Sequence, residues 1–153
     1  MNTDDPILGA LKDSGDCLEG SLKHNGKDVP ISMDADGAQV AELISLARDV
    51  ATRLGAIDAD ARRCASDKLL DVYNDSWRSY IEVGDDGKNR EVSGTILDST
   101  AFREGLSLAS VSVLGSGVVT LHYHDGGMFA GHSVMVESFE GTDFSDASTQ
   151  LFG

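Results

Sequence analysis

The sequence holds only two prolines, two cysteines and one tryptophan, and its 12 bases are outnumbered by 26 acids. No stretch approaches the ~20 consecutive apolar residues that a membrane helix requires. The opening residues, MNTDDPILGALKDSG, have neither the basic start nor the apolar run of a secretory signal. A cytoplasmic protein that makes no membrane contact is therefore expected. Few prolines, 17 glycines and 41% apolar residues exclude a disordered chain. The 153 residues match one ordinary domain, 1–153, long enough to close its own core. Cys17 and Cys64 stand in separate segments, outside any C-x-x-C or metal-type spacing. They read as two reduced, partly buried thiols without a role.

Scarcity of bases leaves a net charge of −14 and a pI near 4.4. The excess is uneven: 8 acids face 3 bases in residues 1–36, 7 face 6 in 37–80, and 11 face 3 in 81–153. Such a field repels nucleic acid and anionic membranes and attracts basic partners. Solubility alone is the plainer use of the same charge.

The first third reads as a β-meander. Pro6 and the acids before it mark a loose end, and Ile7 to Leu11 begin a strand. Asp13-Ser14-Gly15-Asp16 is a turn cluster, and a second strand spans Cys17 to Leu22. Asn25-Gly26 is the dipeptide of a tight hairpin. Val29, Ile31 and Met33 then alternate with polar or small residues, as on a strand with one buried face. Pro30 cannot donate to a ladder and points to an edge strand or a bulge.

Asp36, with Gln39 three residues on, resembles a capping box. Val40, Leu43, Ile44, Ala47, Val50, Ala51 and Leu54 form one apolar helical stripe, with Gly55 as its stop. A second helix, capped by Asp58 or Asp60, carries Ile57, Ala61, Cys64, Ala65, Leu69, Val72 and Tyr73, with Trp77 and Tyr80 in the same steps. The short link makes the two an antiparallel helical hairpin. Trp77 reads as an anchor between helix end and sheet. Residues 82–94 are a loop or weak hairpin around Asp86-Gly87, and Ile96 to Leu106 hold a short helix capped at Asp98 or Ser99. From Leu106 the chain is β. Leu108 and Val111 have opposite parity, so a bulge is expected near Ala109-Ser110. The fold class is α+β: an N-terminal meander, a helical hairpin and a C-terminal antiparallel meander, with helices on one face of a merged sheet of about six strands.

Val118 to Val136 carries three of the four histidines, His122, His124 and His132. On a strand, His122 and His124 lie roughly 7 Å apart on one face. With Asp125 and His132 they offer three nitrogens and a carboxylate to a metal. His132, however, shares its parity with Val134 and Val136, so on a buried face it is a hydrogen-bonded histidine plugging the sheet end. Other chemistry is thin. No serine stands in a G-x-S-x-G elbow, Cys64 lies mid-helix on an apolar stripe, and no lysine follows Asp125-Gly126-Gly127 to make a phosphate loop. Gly126, Gly127 and Gly131 suit positive φ in a turn around Met128-Phe129. Exposed, that tip is a partner contact; buried, it is a plug.

Three stretches carry a resemblance. They are the Leu8-Gly9 strand leading to a Gly20 strand, Tyr73-Asn74-Asp75-Ser76-Trp77, and above all Asp125-Gly126-Gly127-Met128-Phe129-Ala130-Gly131-His132. On these the sequence resembles the uncharacterised bacterial family named domain of unknown function 2262. The resemblance implies a small stand-alone prokaryotic protein, brings no catalytic residues, and draws attention to Gly131-His132.

Two function classes remain. One is a non-catalytic acidic protein-binding module, most concretely an immunity or inhibitor protein that neutralises a basic toxin or nuclease encoded nearby. Its contacts would be Asp85, Asp86 and Glu91 in one acidic loop and Glu137, Glu140 and Asp143 in another. This reading needs no cofactor. The other is a small metal-binding protein or metal-dependent enzyme using His122, His124, Asp125 and His132.

Overall fold

The computed structural model describes residues 2–153. Strands β1 (Asn2–Asp5), β2 (Gly9–Asp13), β3 (Cys17–His24) and β4 (Lys27–Asp34) form an antiparallel meander. Helices α1 (Val40–Thr52) and α2 (Leu54–Val72) follow, then a π-helical turn over Tyr73–Trp77. A separate hairpin, β5 (Ser79–Val83) with β6 (Asn89–Ser93), and helix α3 (Ser99–Gly105) complete the middle of the chain. The second meander is β7 (Ser107–Leu114), β8 (Val119–His124), β9 (Ser133–Ser138) and β10 (Ser148–Phe152).

β4 and β7 pair in parallel, Ile31 opposite Val111 and Met33 opposite Val113. That pair fuses the meanders into one sheet of eight strands in the order β1-β2-β3-β4-β7-β8-β9-β10. Parallel neighbours need a long crossover, and the helices and the small hairpin supply it. The class is α+β with one merged sheet, larger than the six strands expected. Both added strands, β1 and β10, lie at the outer edges. An edge strand has one neighbour and little burial, so β1 (NTDD) shows no apolar alternation in sequence.

The core lies on one sheet face. Val29, Ile31, Met33, Val111, Val113, Val119, Leu121, Tyr123, Val134 and Val136 are buried there, against Leu43, Ala47 and Val50 of α1 and Ile57, Ala61, Ala65 and Leu69 of α2. α1 packs on β4 and β7, and α2 on β9 and β10. Among the described residues no helix is long and apolar enough to cross a membrane.

Several local expectations hold. Asn25 and Gly26 both take positive φ between paired His24 and Lys27, as a type I′ hairpin turn requires. The register of β7 on β8 shifts between Leu108 and Ser110, which leaves Ala109 as the bulged residue. The Asp98 side chain accepts the Ala101 N–H and caps α3. Others are corrected. Pro30 stands in a central strand with an unbroken register to β3, and it is tolerated because pairing with β7 starts only at Ile31. Asp36 does not cap α1: it takes positive φ in a turn held by Asp34, and α1 starts after Gln39. Gly55 and Asp58 lie inside α2, which follows α1 after Arg53 alone.

Candidate functional site

The glycine-rich loop between β8 and β9 is organised by one carboxylate. Asp125 is buried, and its two oxygens accept N–H groups from Gly127 (2.9 Å), Phe129 (2.8 Å) and Gly131 (2.9 Å). Its carbonyl accepts a fourth, from Met128. An ionised carboxylate is acceptor-only, so it can satisfy donors that a tight loop cannot place in a ladder. Gly126, Gly127 and Gly131 all have positive φ. Gly126 is further constrained, because a Cβ there would overlap the Gly105 carbonyl at the end of α3.

The loop drives Phe129 inward, where it is fully buried. Its ring meets Tyr73, Trp77 and Phe102 edge to face, at centroid distances of 5.9, 5.6 and 6.2 Å. The Met128-Phe129 tip is thus a plug. Tyr73 and Trp77 come from the π turn, whose wider winding, closed by the Arg78 N–H on the Tyr73 carbonyl, keeps both rings on the loop side. Trp77 is the anchor between helix end and sheet. His132 completes the cluster: its Nδ1 donates to the Phe129 carbonyl at 2.5 Å, and its ring stands edge-on to Trp77 at 5.5 Å. The plugging role that its strand parity suggested is the one it fills.

Above this cluster stands the β5–β6 hairpin. Its base is closed by the Gly94 N–H on the Arg78 carbonyl and by Arg78 Nη1 on the Gly94 carbonyl. Tyr80 and Val92 face each other across the ribbon and look down on Tyr73, Trp77 and Met128, leaving a cleft of about 540 Å³ between ribbon and body. The other side of the ribbon carries Ile81 and Val83 with Glu91. Tyr80, Ile81 and Val83 are 58%, 68% and 68% exposed. Asp85 and Asp86 occupy the tip, where Asp86 accepts the Lys88 N–H. Glu137, Glu140 and Asp143 lie elsewhere. Glu137 lies near the far end of β9, and Glu140 and Asp143 follow just beyond it, at the end of the strand opposite the Asp125 loop. Glu137 accepts the Thr120 hydroxyl, and Asp143 accepts the Ser145 N–H and hydroxyl, which hold its carboxyl below the usual range. The β5–β6 hairpin packs at the Asp125-loop end of β9, and these acids lie toward its other end.

The histidines divide in the same way. His122 and His124 lie on the sheet face away from the core, while His132 is turned to Trp77 and Asp125 is engaged by backbone N–H groups. Among the described residues no three metal-ligating side chains of the His, Cys, Asp or Glu type converge. Partial burial pushes the His122 imidazole below its ordinary value, against the opposing pull of Glu137.

Sequence reasoning missed a second polar centre. Asp58, buried on α2, accepts Tyr123 OH at 2.6 Å and Arg62 Nε at 2.9 Å on one oxygen, and His24 Nε2 stands 2.9 Å from the other. Arg62 also donates to the Arg103 and Leu106 carbonyls and lies 5.2 Å from the Tyr123 ring centroid. Burial, then the Asp58 charge, pushes the Tyr123 phenol far up, so it stays a donor. A signal was there: Asp58 falls between Ile57 and Ala61 on the apolar stripe, where an acid has no reason to be unless it is paired.

The sequence matches, over residues 5–148, the family described as an uncharacterized protein conserved in bacteria, DUF2262. The chain belongs to that family. No curated protein and no solved structure matches it.

Proposed function

We propose that this member of the family is a protein-binding module that grips a basic partner with the β5–β6 hairpin and the cleft beneath it. The observation that carries this reading is the exposure of Tyr80, Ile81 and Val83 on a two-stranded ribbon. A two-stranded ribbon has little stability of its own in water, and large apolar side chains on it gain most when a partner covers them. The neighbouring acids, Glu82, Asp85, Asp86 and Glu91, outnumber Lys88 and Arg90 in the same hairpin, where Arg90 stands opposite Glu82, and supply the net charge that would draw and orient a basic surface. The aromatic floor of the cleft suits an apolar anchor from that surface. In its most concrete form the module is an immunity or inhibitor protein for a basic toxin or nuclease encoded nearby. Glu137, Glu140 and Asp143, at the other end of β9, would add to the general field rather than to the contact.

The test is affinity capture from the native host at low and at high salt, with the wild-type chain and an Ile81→Ser, Val83→Ser double variant as baits. One basic protein, held by the wild type, released by salt and lost by the variant, is expected. No basic protein on the wild-type bait, or equal capture by both, overturns the reading.

A further inference from the structure

We propose that the cleft beneath the β5–β6 ribbon binds a small, flat aromatic carboxylate. At about 540 Å³ the cleft falls within the size of small-molecule sites, about 300–1,000 Å³, which are mostly apolar with a few placed polar groups. Its body is aromatic on both sides: Tyr80 and Val92 of the ribbon stand over Tyr73, Trp77 and Met128. Rings above and below a slot favour a flat π system between them, through offset or edge contacts that add to the area buried. One corner is polar. Tyr73 is only 9% exposed, yet its hydroxyl makes no hydrogen bond among the described residues. A buried hydroxyl without a partner costs free energy that a ligand oxygen would recover. The hydroxyl lies at Gly94, in the wall of the cleft: a Cβ on that glycine would stand 3.1 Å from the Tyr73 oxygen and 3.6 Å from Arg78 Cγ.

The charge in that corner is positive and unmatched. Arg78 donates through Nε to the Asn74 carbonyl and through Nη1 to the Gly94 carbonyl, and both acceptors are neutral. Among the described residues its Nη2 has no partner, its guanidinium has no ion pair, and no aspartate or glutamate lines the cleft. Arg48, Arg62 and Arg63, by contrast, each face a carboxylate. A guanidinium held by neutral acceptors only, beside a free phenol O–H, is a donor set for a carboxylate. The carboxylate takes that corner and the ring takes the slot. Ile81 and Val83, on the other side of the ribbon, stay free for a protein. Such a ligand binds the chain alone, so its binding and the capture of a basic partner are independent measurements.

Full-length labelled protein is titrated with 2-naphthoate and, separately, with its neutral isostere 2-naphthamide, reading backbone amides and the Trp77 indole N–H by NMR. Saturable shifts are expected at Trp77, Tyr80, Val92 and Gly94, with 2-naphthamide about tenfold weaker, the loss of one charge-assisted contact. Cyclohexanecarboxylate, which keeps the charge but not the flat ring, should also bind more weakly. Tyr73→Phe removes only an unpaired hydroxyl, so the variant should fold as the wild type does and bind 2-naphthoate several-fold more weakly. No saturation by 2-naphthoate, equal affinity for either comparison compound, or unchanged affinity in Tyr73→Phe overturns the site.

Discussion

Trp77 and Phe129 stand edge to face with their ring centroids 5.6 Å apart, and this contact joins the π turn YNDSW to the loop DGGMFAGH. Two of the three stretches that carry the family resemblance are therefore one packed unit. The joint fixes the floor of the cleft, because Tyr73, Trp77 and Met128 are held from below by Phe129.

Phe129→Ala should be among the most damaging single substitutions in the chain. Removing a fully buried ring that meets three others leaves a cavity and costs about 3–5 kcal/mol. Denaturant unfolding measures the loss. Emission from Trp77, the only tryptophan, should shift in the native state as its neighbour disappears. A cost below about 1 kcal/mol would mean that the tip is not a plug.

Asp125→Ala should loosen the loop before it unfolds the domain. It removes the acceptor for three backbone N–H groups, each of which costs roughly 1–3 kcal/mol if left buried and unpaired. Hydrogen exchange at Gly127, Phe129 and Gly131 should accelerate more than exchange in β8. Uniform acceleration along β8 and the loop would refute an organising role for this one carboxylate.

Some of this organisation was legible in sequence because its causes are local. Asn25-Gly26 demands positive φ, the parity slip at Ala109 is a counting argument, and Asp98 satisfies N–H groups a few residues away. The alternation that buries Val134 and Val136 also placed His132 correctly at the plugged end. What was not legible depends on remote partners. Nothing near Ile31 announces that its neighbour is Val111, and the parallel pair puts Pro30 mid-sheet. Asp58, beside Gly55, carries the local signature of a helix cap, but Tyr123 and His24 arrive from other strands and bury it. Met128-Phe129 is a plug only because the π turn and α3 bring three rings to meet it.

Asp5 gives a pH dependence of definite sign. Arg48 donates to its carboxylate through Nε and Nη2, at 3.0 and 2.6 Å, and the Leu8 and Ile7 N–H groups bind it too. These hydrogen bonds, Arg48's first, lower the carboxyl to about 2. A carboxyl with a lowered folded-state value adds stability that is complete above its unfolded value, near 4, and vanishes as pH falls through 2. Asp5→Asn should therefore be less stable than wild type at pH 6, with the gap closing between about pH 4 and pH 2. A gap constant over that range would show that the ion pair is not what Asp5 contributes.

Asp58 offers the sharpest test of the buried polar centre. Asp58→Ala strands the Tyr123 hydroxyl and leaves the Arg62 guanidinium short of its counter-charge, and breaking a buried pair in this way costs about 3–5 kcal/mol. Tyr123→Phe removes only the hydroxyl, leaving Asp58 with Arg62 and His24, and should cost about 1.5–3 kcal/mol, the range for a hydrogen bond to a charged group. In the double variant Asp58→Ala, Tyr123→Phe, the phenol no longer needs a partner, so the total should fall well short of the sum of the two single costs. Urea unfolding of the four proteins closes the cycle. Additive costs would mean that the 2.6 Å contact between α2 and β8 contributes nothing of its own, and that Asp58 is retained for Arg62 and His24 alone.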